Sequence, residues 1–217
     1  MTTIPANLSR DEIQARLRAT VATEGWDAAW KTGLTPWDVG NSQPPLRDIL
    51  TSGRVNFPTE GTALVPGCGT GYDAVAIATE LGLHTIGVDI SATSLVASNA
   101  YKHEVGVKNV KFKAGDFFTM EGDFDLIYDY LFFVAISPEM RPAWGEQMAK
   151  LVKPGGYLIC LVYPMDPPVD YGPPYYVRPN HVLEVLGEGW EKLVDEVPEN
   201  SLEAHKGRES LLVLKRS

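Results

Sequence analysis

Thr62-Ala63-Leu64-Val65-Pro66-Gly67-Cys68-Gly69-Thr70-Gly71-Tyr72-Asp73 is an apolar run that stops at three glycines in five positions, after which a helical pattern begins. It reads as a buried strand, a tight turn and a helix start. Glycines at these places allow positive φ and leave room for a ligand against the backbone, with free helical N–H groups behind it. A nucleotide site is the first expectation. A dinucleotide fingerprint would need glycine or alanine at position 72, where the helix presses on the sheet, and Tyr72 stands there. That ranks a nicotinamide oxidoreductase last among the readings.

Two acidic residues narrow the choice. Asp89 ends the next strand pattern, His84 to Asp89, and Gly115-Asp116 follows the one after it, Val110 to Ala114. In an open parallel sheet, ligands bind outside the carboxyl ends of the strands, so both carboxylates and the glycine turn converge on one crevice. Asp89 suits a ribose diol, and the carboxylate or backbone at 116 can meet an adenine amino edge. The three together resemble the S-adenosylmethionine site of class I methyltransferases. Singly, each Asp also reads as a turn former or helix cap.

The 217 residues are expected to form a single domain with a core that needs neither disulfide nor structural metal. A formal net charge of −9 without any basic run argues against nucleic acid and anionic membranes as partners. No apolar run approaches a membrane span and no signal pattern is evident, so a soluble, cytoplasmic protein is expected; a monomer is a separate expectation. Cys68 and Cys160 lack metal-ligand spacing and read as reduced and packed. A catalytic Cys68, activated by the helix start, is the sharper alternative. His84, His103, His181 and His205 are scattered and read as surface or strand-edge residues, and no metal is expected.

Ser9-Arg10-Asp11-Glu12 has capping-box spacing and precedes Ile13, Leu17 and Val21, the stripe of a first helix. Trp26, Trp30 and Trp37, three of the five tryptophans, lie within twelve residues. They read either as a hydrophobic anchor or as an aromatic wall over a cation such as a sulfonium. A short helix follows Gln43, and residues 1–50 form a helical cover ahead of a core spanning 62–217. Helices from Asp73 to Leu81 and from Ser91 to about Glu104 complete a βαβαβ order. Phe124 to Tyr130 is the fourth strand, Pro142 to Leu151 a helix ended by Lys153-Pro154-Gly155-Gly156, and Tyr157 to Tyr163 the fifth strand. Pro164 to Pro179 holds six prolines and reads as a stiff, irregular cover. Pro179 to Leu186 is a short helix, with final strands at Trp190 to Val197 and Glu209 to Lys215.

Trp26-x3-Trp30-x6-Trp37-Asp38, Leu64-Val65-Pro66-Gly67-Cys68-Gly69, Val88-Asp89-Ile90-Ser91 and above all Phe124 to Ile136 through Met140-Arg141-Pro142-Ala143-Trp144 resemble the halide/thiol methyltransferases, within the thiopurine methyltransferase-like superfamily. The resemblance runs from about Trp26 to the C-terminus. It implies a three-layer α/β/α Rossmann-like class I fold. Its seven-stranded sheet would be mostly parallel, with the last strand antiparallel. The implied reaction is methyl transfer from S-adenosylmethionine to halides, thiocyanate, bisulfide or small thiols. Carried over, Trp26, Trp30, Trp37, Gly67, Cys68, Gly69, Asp89, Ile90, Asp116, Phe117 and Tyr130 would contact the cofactor. Trp30, Tyr130, Phe133 and Tyr163 would bound the acceptor, with Tyr130 and Tyr163 the catalytic candidates. Where the thiopurine branch typically carries arginine, this chain has Tyr130.

Halides and thiocyanate are already anions, so in-line displacement needs no general base, which suits a chain without a nucleophile–base constellation. With no lysine or arginine evident, the acceptor pocket is expected to select by desolvation, iodide over bromide over chloride. The competing readings are a thiopurine-like or other small-molecule S-methyltransferase and a non-catalytic S-adenosylmethionine-binding module.

Overall fold

The computed structural model describes residues 8–217, so the first seven residues of the expected cover lie outside it. Helices α1 (Arg10–Glu24), α2 (Trp26–Lys31) and α3 (Pro44–Thr51) precede the sheet. The capping box forms: Ser9 Oγ accepts from the Glu12 amide at 3.3 Å, and Glu12 accepts from the Ser9 amide at 2.8 Å. Pro44 and Pro45 open α3, where their missing N–H groups would have had no helical partner.

The core then runs β1 (Thr62–Pro66), α4 (Tyr72–Leu81), β2 (His84–Asp89), α5 (Ala92–Val105), β3 (Val110–Ala114), β4 (Phe124–Tyr130), α6 (Phe132–Ala135), α7 (Arg141–Leu151), β5 (Val152–Val162), α8 (Pro179–Leu186), β6 (Trp190–Glu196) and β7 (Ser210–Arg216). The seven strands lie in the order β3-β2-β1-β4-β5-β7-β6. The sheet is parallel from β3 to β5, and β7 inserts antiparallel between β5 and β6. Side-chain alternation divides the core between two faces. Leu46, Ile77 and Tyr128 pack on the side of α3 and α4, while Leu64, Ile127, Trp144 and Met148 pack on the side of α7 and α8. The two cysteines are unbonded. No helix among the described residues is long and apolar enough to cross a membrane.

One boundary departs from expectation by more than a residue or two, and one element is additional. β5 begins at Val152, not Tyr157, because Val152 pairs with Phe124 and Tyr157 with Leu126. Lys153-Pro154-Gly155-Gly156 is therefore an excursion within the strand as well as the end of the helix. The short helix α6 was not anticipated; it follows Leu131, held in the left-handed region at φ 68°. Pro164 to Arg178 has neither helix nor strand, as its prolines require.

Candidate functional site

The order of the strands reverses at β1, running outward to β2 and β3 on one side and to β4 and β5 on the other, and leaves a crevice beyond the carboxyl ends of the parallel strands. It is closed by the N-terminal helices and the proline-rich segment into a cavity of about 870 Å³. Its wall follows the strand order. Asp116 and Phe117 follow β3, Asp89 and Ile90 lie at the end of β2, and the glycine turn follows β1. Tyr128 and Tyr130 close β4, and Tyr163 follows β5.

At the turn, the Asp89 carboxylate accepts from the Gly69 amide at 3.0 Å and the Ser91 amide at 2.8 Å. Burial raises its pKa, and these backbone donors oppose the rise. Gly69 has φ 52°, and a Cβ there would lie 3.1 Å from the Trp30 ring. A larger residue would both strain the turn and push that tryptophan away. Burial, then the Asp89 charge, pushes the Cys68 thiol well above its ordinary range, which disfavours the thiolate a catalytic Cys68 would need.

Trp37 stands edge-on to both Trp26, at 5.7 Å between ring centroids, and Trp30, at 6.0 Å. Trp26 and Trp37 also pack on Leu17, Ala29 and Leu34, so the anchoring role is present alongside the cavity wall. Two carboxylates tie this cluster to the core. Asp27 accepts from Ser91 Oγ at 2.7 Å and the Thr93 amide at 2.9 Å, and pairs with Lys31 at 2.8 Å. Asp38 accepts from Thr70 Oγ1 at 2.7 Å. Asp116 uses its side chain to cap a single 3-10 turn, accepting from the Phe118 amide at 2.9 Å, while remaining exposed at the cavity rim.

Every site residue expected from sequence lines this cavity except Phe133. Phe133 is buried on the opposite face of β4, its ring 4.6 Å from Trp144 and beneath the Arg141 guanidinium. Phe132 takes the wall position instead. Asp129 sets this arrangement by accepting from the Phe133 amide at 3.1 Å and Trp144 Nε1 at 2.8 Å. Its burial raises its pKa to about 6.

Beyond β4, Tyr130 and Tyr163 lie 6.4 Å apart at their ring centroids, and burial keeps both phenols protonated. The expectation of an acceptor end without arginine is overturned. Arg10 and Arg208 both line the cavity. Arg208 approaches the Tyr163 hydroxyl at 3.4 Å, lies 5.2 Å over its ring, and is clamped on Asp166 by two hydrogen bonds of 2.7 Å. Nothing near Tyr163 in sequence signals Arg208, since the β6–β7 return brings it there from 45 residues away. His205 is likewise no surface residue. It is buried, stacked on Tyr163 at 4.0 Å, with Nδ1 3.2 Å from the buried Glu209. Asp73, Gln43 and Tyr128 were also missed as cavity residues.

The glycine turn, the buried Asp89 and the apolar walls beside them fit an adenosyl group with a sulfonium-bearing tail. Comparison with known proteins agrees. Residues 21–216 match the thiopurine S-methyltransferase family. A thiocyanate methyltransferase of Brassica oleracea is 41% identical over 206 residues, 93% of this chain and 88% of that protein. A probable thiol methyltransferase of Arabidopsis thaliana is 42% identical over 174 residues, 79% of this chain and 75% of that one. The fold is similar to that of a TehB-like SAM-dependent methyltransferase from Corynebacterium glutamicum, with TM-score 0.61 at 15% identity, covering 88% of this chain and 99% of that one. Family match and sheet topology lead to one conclusion: this chain belongs to the thiopurine S-methyltransferase family and is an S-adenosylmethionine-dependent methyltransferase.

Proposed function

We propose that the enzyme methylates small, soft nucleophiles, namely thiocyanate, bisulfide, halide ions and small thiols. The observation that carries this is the Tyr130–Tyr163–Arg208 end of the cavity, which lies beyond the glycine turn along the sheet, at β4, β5 and the approach to β7. The thiol and thiocyanate methyltransferases among its relatives support the same reading.

Bound S-adenosylmethionine supplies a methyl carbon made electrophilic by its sulfonium. Asp89 would accept from the ribose hydroxyls, and Phe117, Ile90 and Asp116 would border adenine. The tryptophans would shield the cationic sulfur from water. Arg208 gives the acceptor end a positive field, yet its N–H groups already serve Asp166, Ala204 and Tyr163. It therefore attracts an anion without replacing a full hydration shell. That favours weakly hydrated, polarizable anions, with iodide ahead of bromide and bromide ahead of chloride, and thiocyanate competitive with iodide. The protonated phenols of Tyr130 and Tyr163 would donate to the anion and fix its line of approach.

The test is headspace detection of methyl iodide and methyl thiocyanate after incubation with S-adenosylmethionine and each anion. Turnover of thiopurines or bulky aromatic thiols with none of either anion would overturn the reading in favour of a thiopurine-like enzyme. Cofactor binding without turnover of any acceptor would favour the binding-module alternative.

A further inference from the structure

We propose that the cavity wall formed by Asp73, Gln43 and Tyr128 is an ammonium subsite, which takes the α-amino group of the methionine portion of the cofactor. This rests on the S-adenosylmethionine reading of the cavity and assigns a part of it that the motifs leave open.

The residues come from three elements. Asp73 lies in the first turn of α4, directly after the glycine turn; Gln43 caps α3; Tyr128 is on β4. All three line the cavity. Tyr128 is 0% exposed and its hydroxyl has no hydrogen-bond partner among the described residues. Gln43 is 2% exposed and its amide oxygen is likewise unpartnered. Asp73 receives one backbone donor, the Gln43 amide, at 3.0 Å. Two unsatisfied buried oxygens beside a carboxylate are expensive to maintain unless something donates to them. Those oxygens ask for a compact donor carrying several N–H bonds and positive charge, which describes a primary ammonium.

Position agrees with chemistry. Strand order puts the adenine border at β3, the ribose acid at β2 and the glycine turn at β1, so the amino-acid tail extends toward β4, where Tyr128 stands. The groups facing Asp73 are Gln43 and Arg47 from α3 and Tyr128 and Tyr130 from β4, with Glu209 ahead of β7 acting on both tyrosines. Arg47 does not neutralise Asp73, for its guanidinium is turned to Ser42 and Asn41. Burial raises Asp73 to about 7, so an arriving ammonium would displace its proton.

Calorimetric titration with S-adenosylhomocysteine and with its deamino analogue, which keeps the carboxylate and has hydrogen in place of the amino group, tests the assignment. Wild type should bind the parent at least about tenfold more tightly, the scale of a hydrogen bond to a charged group. In Asp73→Asn that preference should collapse while the deamino analogue binds within about twofold of its wild-type affinity. Tyr128→Phe should narrow the same preference without abolishing it. In buffers of different ionisation enthalpy, wild type near pH 6.5 should release protons on binding the parent, and Asp73→Asn should not. A preference retained in Asp73→Asn, an equal loss for both ligands, or proton release unchanged by the substitution overturns the subsite. Failure of wild type to bind S-adenosylhomocysteine at all overturns the reading of the cavity itself, and the subsite with it.

Discussion

Arg208 grips Asp166 through two hydrogen bonds of 2.7 Å, and Arg10 reaches the same carboxylate at 3.1 Å. One acid of the proline-rich segment thus joins the first helix to the C-terminal hairpin, around Tyr163. The hydrogen bonds from Arg208 hold the Asp166 carboxyl below its usual range.

Replacing Arg208 by Lys keeps a charge but loses the planar fork. The expected outcome is a fall of about tenfold in kcat/KM for thiocyanate, with S-adenosylhomocysteine affinity within about twofold of wild type. Steady-state kinetics beside calorimetry separates the two, and an unchanged kcat/KM would remove Arg208 from the acceptor site.

Asp89→Ala deprives the Gly69 and Ser91 amides of their acceptor as well as removing the candidate ribose partner. We expect cofactor affinity to weaken by roughly 1.5–3 kcal/mol with acceptor preference unaltered. Isothermal titration showing wild-type affinity would contradict the assignment.

Acceptor chemistry should separate by pH. At saturating S-adenosylmethionine, the rate with a simple alkanethiol should climb tenfold per pH unit below the thiol's own pKa, because only the thiolate attacks. Over the same range the rate with thiocyanate, already ionised, should stay level. Parallel profiles for the two acceptors would point to a protein group governing both.

Asp129 supplies a stability prediction. Its pKa rises from 3.8 to about 6 in the folded protein, so the native state holds this proton to higher pH than the unfolded chain does. The site therefore favours folding most below 3.8 and withdraws that support as pH rises through about 6. Asp129→Asn keeps an acceptor for Trp144 and removes the titration. Its stability relative to wild type should improve by on the order of 2 kcal/mol between pH 4 and pH 7 in denaturant unfolding. A constant difference across that range would show that Asp129 does not titrate in this way.

Asp27 is the tie between α2 and the start of α5, and its hydrogen bonds to Lys31, Thr93 and Ser91 depress its pKa strongly. In Asp27→Ala, amide exchange across Trp26–Lys31 should quicken by roughly tenfold in the ligand-free protein. S-Adenosylhomocysteine should slow it in both forms. Equal exchange with and without ligand would leave the three tryptophans as packing alone.

Much of the fold was legible because its signals are local. The apolar run before Gly67 and the Phe124–Tyr130 pattern each occur within one short window, and β4 was bounded to the residue. The Ser9 and Ser91 caps were equally plain. Asp89, Asp116 and the three tryptophans were legible as cavity residues for the same reason. Each sits next to a strand end or inside a compact motif whose place in the sheet follows from chain order.

What stayed hidden depends on facing and on distant return. Phe132 and Phe133 are indistinguishable in sequence, and only the left-handed turn at Leu131, with Asp129 bonding the Phe133 amide, sends one ring to the cavity and the other to Trp144. Arg208 and His205 reach Tyr163 because β7 inserts beside β5. Asp73, Gln43 and Tyr128 line one cavity because α3 packs against α4, where the Gln43 amide donates to Asp73, and β4 lies beside β1 in the sheet. The sequence alone determined the strand–turn–helix frame and the edge of the sheet on which the cavity opens, since periodicity and glycine placement act over a few residues. Only tertiary structure decided which charges and hydroxyls share the cavity wall from β4 to β7, since those contacts are set by packing between segments far apart in the chain.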